Sequence, residues 1–168
     1  MKNLMCVLMI SFLGLFCTKQ GEAAMQISSP AFNDNQEIPS QYTCQGQDIN
    51  PALEISDIPD TAQTLALIVD DPDAPMGTWV HWVVFNIPAG TVSIAENSIP
   101  GKQAGNDFGR ASYGGPCPPS GTHRYFFKLY ALDTELDPVA IQSKADLEKA
   151  MQGHILAEAR VIGLYKKK

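Results

Sequence analysis

Residues 69–88, VDDPDAPMGTWVHWVVFNIP, decide how this chain is read. The segment opens at the end of an apolar run, Leu65 to Val69, crosses an Asp- and Pro-rich turn, and returns into Trp79-Val80-His81-Trp82-Val83-Val84-Phe85. Both apolar pieces are rich in residues that favour strands, so the pattern predicts two strands joined by a loop. The first, continuously apolar, reads as a strand buried on both faces. In the second, period-2 alternation puts Trp79, His81, Val83 and Phe85 on one face and Val80, Trp82 and Val84 on the other. On that reading His81 sits on a strand face, and Trp79, not Trp82, accompanies it.

The complement of this segment is Gly114 to Leu132, GGPCPPSGTHRYFFKLYAL. Arg124 to Leu132 reads as a strand in which Tyr125, Phe127 and Leu129 alternate against Phe126, Lys128 and Tyr130. The loops before the two strands are expected to meet in one small polar pocket, with Arg124 pairing to an Asp of the 70–73 loop. Between them, Pro88 to Gly115 is a long irregular excursion rich in Gly, Ala, Asn and Ser, of the kind that more often carries function than not.

Residues 25–60 are full of turn formers, and Pro39, Pro51 and Pro59 interrupt any helical period, which leaves short strands near Met25–Ile27 and Ala52–Ile55. Near the C-terminus, Ser143-Lys144-Ala145-Asp146 looks like a capping box, and Leu147, Ala150, Met151, His154 and Ile155 share one helical face. His154 is expected to pack rather than to bind. Arg160 to Tyr165 reads as a short last strand. The fold class is therefore mainly β, an antiparallel or mixed sheet with few helices.

The chain has 168 residues, 45% hydrophobic and 18% charged, which suits one globular domain with a real core. Residues 1–24 read as a cleaved secretory signal peptide: Lys2 gives the positive start, Leu4 to Phe16 the apolar region, and Gly21-Glu22-Ala23 small residues near the cleavage site. That apolar run is too short to span a bilayer, which takes about 20 residues, so stable membrane insertion is not expected. Cys17 raises a lipoprotein alternative, against which stands the bulky Phe16 before it. The domain is then 25–168, periplasmic or secreted. A net charge of −6 repels phosphate backbones, so a nucleic-acid partner is not supported, and Lys166-Lys167-Lys168 is a solvated tail. Cys44 and Cys117 remain in the domain, and a bridge between them is the expectation, with two buried free thiols as the alternative.

Taken in order, DPDAP at 71–75, Trp-x-His at 79–81, a Gly-Pro-rich loop at 115–119 and His-Arg-Tyr at 123–125 resemble the phosphatidylethanolamine-binding protein family, also called Raf-kinase-inhibitor-like. The stretches YTCQGQDINPAL, NDFGRASYGGPCPP, HRYFFKLYALD and GHILAEA are similar to its bacterial branch. The resemblance runs from about Ile27 to Tyr165. It implies a central antiparallel-dominated sheet, a smaller second sheet and a C-terminal helix. It also implies a small cavity for anionic groups such as phosphate, acetate or a phosphorylated head group. Carried over residue by residue, the ligand-binding set is Asp71, Asp73, Trp79, His81, Gly115, Pro116, His123 and Tyr125. The very short Met76-Gly77-Thr78 stands where animal members carry an insert, which argues against carrying over their kinase-regulatory role.

Two carboxylates beside an anion site look wrong until the imidazoles are considered. A carboxylate bonded to His81 or His123 orients the ring and favours its protonated form, which turns the outer N–H into a charge-assisted donor. Asp71 and Asp73 are then orienters, and the histidines, with backbone N–H groups near Gly115, do the binding. The bland alternatives are a plain Asp-Pro turn, a core His81 and a turn-capping His123. No catalytic residue, metal or cofactor is expected. A metal-dependent hydrolase has no supporting spacing, no G-x-S-x-G elbow occurs, and a protease inhibitor would need the Pro116–Pro119 run as an exposed loop. The expected partner is a small anionic ligand, with a protein partner at the same pocket as a second kind.

Overall fold

A computed structural model describes residues 24–168; the segment read as a leader lies, apart from Ala24, outside the described residues. Two sheets form. The small one comprises β1 (Gln26–Ser28), β3 (Leu53–Ser56) and β6 (Ser93–Ile94) in the order β1-β3-β6. The large one comprises β2 (Gln36–Glu37), β4 (Thr64–Asp71), β5 (Trp79–Pro88), β7 (Lys102–Ala104), β8 (Thr122–Leu132) and β9 (Ile155–Lys166), in the order β2-β9-β8-β4-β5-β7. All its pairings are antiparallel except β2 with β9. No helix among the described residues is long and apolar enough to cross a membrane.

β4 is buried along its whole length, as its unbroken apolar run predicts. Leu65, Leu67 and Val69 enter a core shared with Ile27, Leu53, Ile55 and Ile94 of the small sheet. Ala66 and Ile68 enter a second core on the opposite face, against Leu136, Ile141, Leu147 and Met151. Tyr125, Phe127 and Leu129 of β8 join the first core, in the alternation expected of them.

The one α-helix among the described residues, α1 (Lys144–Ala150), is capped as the sequence suggests: Ser143 Oγ accepts the Asp146 N–H at 3.2 Å and donates to Asp146 Oδ2 at 2.8 Å. It ends earlier than its apolar spacing predicts. The chain turns at Gly153, with φ +81°, and Ile155 opens β9 by pairing with Leu132. A β-branched residue that can join a ladder outweighs one more helical turn. His154 therefore leaves the helix face, and instead of packing it lies exposed with Nδ1 2.8 Å from Asp133. β9 accordingly spans twice the length expected from Arg160 to Tyr165, and the 88–115 excursion holds two short strands, β6 and β7.

Candidate functional site

Asp71, the last residue of β4, is 3% exposed, and both its oxygens are used. Oδ1 accepts the Asp73 N–H at 2.8 Å, the local bond that makes Asp-Pro-Asp a turn, and Oδ2 lies 2.7 Å from His123 Nδ1. Asp73 points elsewhere. Its carboxylate takes Arg124 Nε at 2.9 Å, Nη2 at 2.6 Å and the Arg124 backbone N–H at 3.0 Å. Those bonds hold its carboxyl down at about 2, well below the usual range. The Asp-Pro loop is thus pinned to the start of β8 at two points, and the expected partner of Arg124 is Asp73. Gly77, at φ +104°, gives the turn a conformation that a side chain would strain.

His81 is placed by an irregularity. Val69 pairs with Trp82 but Asp70 pairs with Val80, so His81 is the extra residue of a β-bulge. The bulge overturns the regular alternation: Val80, Val83 and Phe85 share the second core, whereas Trp82 and Val84 belong to the first. A second bulge near Asn86, at φ +52°, resets the register toward the end of β5. His81 turns to the same side as Trp82, edge-on to Tyr125 at 5.1 Å and to Phe108 at 5.3 Å between ring centres. Its Nδ1 donates to the Gly114 carbonyl at 2.6 Å, because a carbonyl only accepts. Nε2 is the ring nitrogen left for a ligand. Burial pushes the pKa of His81 down, outweighing that carbonyl and the nearby Asp71 charge, so the free ring is neutral at pH 7. The partner of His81 is therefore a carbonyl; only His123 has the carboxylate partner that the sequence suggested for either ring.

The irregular loop is built on Asn106. Its side chain donates to the carbonyls of His81 and Ser112 at 3.0 and 2.7 Å and accepts the N–H groups of Phe108 and Arg110. Further on, Gly115 lies so close to the chain at Tyr42 and Thr43 that a Cβ would come within 2.5 Å of the Tyr42 carbonyl. The Gly115 N–H is bonded to Asp48 Oδ1 at 2.6 Å, so Gly115 serves loop packing and this N–H is committed within the protein. Cys117 is bridged to Cys44 across 73 positions, with the Pro116 carbonyl accepting the Cys44 N–H at 3.2 Å. In the chain-entropy model such a closure stabilises the fold by about 4 kcal/mol.

These parts enclose a cavity of about 290 Å³, lined by Asp71, Trp79, His81 and Tyr125, by Phe108, and by Ala74, Pro75, Cys117, Pro118 and Pro119. Four of the eight residues assigned to the site line it. Of the rest, His123 stands behind Asp71, Asp73 holds the loop, and Gly115 and Pro116 tie their loop to Asp48 and Cys44. Cys117, Pro118 and Pro119 of the Pro116–Pro119 run form part of the cavity wall. Asp48, Asn106 and Phe108 escaped the sequence reading, since they lie in irregular segments without a period. Tyr125 carries the most telling feature. Its ring is fully buried, and its hydroxyl makes no hydrogen bond of good geometry among the described residues, although the Asp71 carboxylate and the backbone at Cys117 lie close to it. Burial and the Asp71 charge raise its pKa, so it remains a donor. Among the described residues no three His, Cys, Asp or Glu side chains gather as a metal site.

A six-stranded sheet backed by a three-stranded one, with a small cavity where β4, β5 and β8 meet their loops, defines a β-rich binding protein. The family model described as phosphatidylethanolamine-binding protein matches residues 28–166, and the chain belongs to that family. A UPF0098 protein of Methanothermobacter thermautotrophicus is 51% identical over 85% of this chain and 99% of its own length. Another, from Aquifex aeolicus, is 49% identical over 88% and 91%. Two solved structures superpose closely. The phosphatidylethanolamine-binding protein homolog CT736 from Chlamydia trachomatis has a TM-score of 0.84 at 43% identity, covering 86% of this chain and 99% of that one. YbcL from E. coli, described as a new member of the mammalian family, has a TM-score of 0.79 at 32% identity, covering 87% and 100%.

Proposed function

We propose that the chain is a non-enzymatic binding protein that takes a small phosphorylated head group into this cavity, outside the cytoplasm. The observation that carries the reading is the buried, unpartnered Tyr125 hydroxyl beside His81 on the same cavity wall. A buried hydroxyl without a partner carries a desolvation penalty of about 1–3 kcal/mol, which a ligand oxygen relieves. Asp71 does not oppose an anion as a bare carboxylate would, because His123 and the Asp73 N–H already hold both its oxygens. The leader-like residues 1–24 and the Cys44–Cys117 bridge both suit an oxidising compartment.

The pH dependence has a defined sign. In the free protein burial holds the His81 pKa below its ordinary value of about 6.5. A phosphate at Nε2 raises it, so binding takes up a proton. Affinity then falls as pH rises from the free pKa through the bound one, by up to about tenfold per pH unit. Calorimetric titration with phosphorylethanolamine between pH 5.5 and 8, in two buffers of different ionisation enthalpy, measures both effects. Equal affinity across that range, with no proton uptake, rules out protonated His81 as the anchor.

A further inference from the structure

We propose that Phe108 is the specificity wall of the cavity, and that it makes the site select phosphate monoesters bearing a flat apolar substituent over the bare oxyanion. The inference rests on the head-group reading above and extends it to the part of the ligand beyond the phosphate.

The cavity divides by chemistry. Its polar groups are Asp71, His81 and Tyr125, and the rest of its lining is Ala74, Pro75, Trp79, Phe108, Pro118 and Pro119 with the bridged Cys117. A bare oxyanion engages the first set and leaves the second facing water. Among the described residues no Lys or Arg lines the cavity, so no fixed cation there favours the most highly charged ligand. A substituent on the ester oxygen covers the apolar walls, and affinity rises with the apolar area removed from water.

Phe108 is held in place for this task. Its ring lies over Gly114, where a Cβ would come within 2.6 Å of ring carbons Cδ2 and Cε2. The Arg110 guanidinium sits 5.6 Å from the ring centre and is anchored to Asp48 at 2.9 Å and to the Tyr113 carbonyl at 3.1 Å. The Phe108 N–H is tied to Asn106 at 3.0 Å. So fixed, the ring stands edge-on to Trp79, with centres 5.6 Å apart and planes at 78°. Both rings remain partly exposed, 37% for Trp79 and 41% for Phe108, and they flank the approach to His81. At that distance the two rings touch, so a flat ligand group packs against the apolar lip they form together, in the stacked or edge-on arrangement aromatic pairs prefer. At about 290 Å³ the space lies at the bottom of the usual range for ligand pockets, about 300–1,000 Å³, which suits one ring or a short chain beside the phosphate.

The test is calorimetric titration of the full oxidised protein with inorganic phosphate and with phenyl phosphate in the same buffer. Phenyl phosphate is expected to bind at least about tenfold more tightly, the scale of one well-buried apolar group. In Phe108→Ala the ratio of the two affinities is expected to fall toward one, and in Phe108→Leu to recover in part, with thermal melting confirming that both variants fold. Equal affinities in the wild type, or an unchanged ratio in Phe108→Ala, overturn the inference while leaving the head-group reading standing. Failure of both compounds to bind anywhere between pH 5.5 and 8 overturns both.

Discussion

Asp70 and Asp71 are consecutive on β4, both nearly inaccessible, and they serve opposite ends. Asp70 points to the helix side of the large sheet, where the ammonium groups of Lys128 and Lys144 lie 2.8 and 2.9 Å from its carboxylate. Asp71 points to the other side, where it orients His123 and borders a cavity that keeps the Tyr125 hydroxyl unpaired. The hollow on the Asp70 side is the larger, about 570 Å³ against about 290 Å³, and is lined by Lys128, Tyr130, Glu158, Ala159 and Arg160. Size therefore does not mark the site. What separates the two faces is charge: the Asp70 carboxylate is ion-paired with two ammonium groups, although its Oδ1 accepts no hydrogen bond, whereas the Asp71 side leaves an uncharged hydroxyl donor and an imidazole nitrogen for a ligand.

The division is most severely tested by Asp70→Asn. An amide cannot compensate two ammonium groups, and breaking a buried ionic cluster from one side is expected to cost about 3 kcal/mol, the low end of its range because both lysines keep partial exposure. Urea unfolding reads that loss, and phosphorylethanolamine affinity should stay near wild type. Loss of affinity with stability retained would break the comparison. Tyr125→Phe is expected to behave in the opposite way. Deleting a hydroxyl with no protein partner leaves stability within about 1 kcal/mol, while losing its bond to a charged ligand weakens binding about tenfold or more. The smallest effect belongs to Arg124→Ala, since water screens an exposed pair and leaves it little net contribution. That contribution is present above the usual carboxylate range and is lost as pH falls toward about 2, where Asp73 now titrates. In the variant, which keeps the backbone N–H bond at position 124, an NMR titration should find Asp73 raised toward 3.8.

Much of this was legible in the chain. The continuous run at 65–69 gave a doubly buried strand, the alternation in 124–132 gave the correct inward residues, and the ordered motifs pointed to Asp71, Trp79, His81 and Tyr125, which line one cavity. The face assignment within Trp79–Phe85 failed because hydrophobic residues fill every position around His81, so nothing in the pattern reveals a bulge. Phe108 and Asn106 were missed for a related reason. Their roles come from hydrogen bonds inside an irregular loop, which impose no period on the sequence. The helix end was readable, with Gly153 close behind it, but the apolar spacing through Ile155 outweighed that signal.

The bulge at His81 also bears on how such a site arises. Excise that one residue and β5 pairs with β4 without a break from Asp71 to Leu67, with Val80 and Trp82 adjacent and each hydrophobic neighbour on the face it already occupies. The hairpin is complete without its histidine. A recognition centre can thus be gained or lost through a single-codon insertion or deletion, with no other side chain changing faces, and the scaffold and its chemistry can evolve as separable parts.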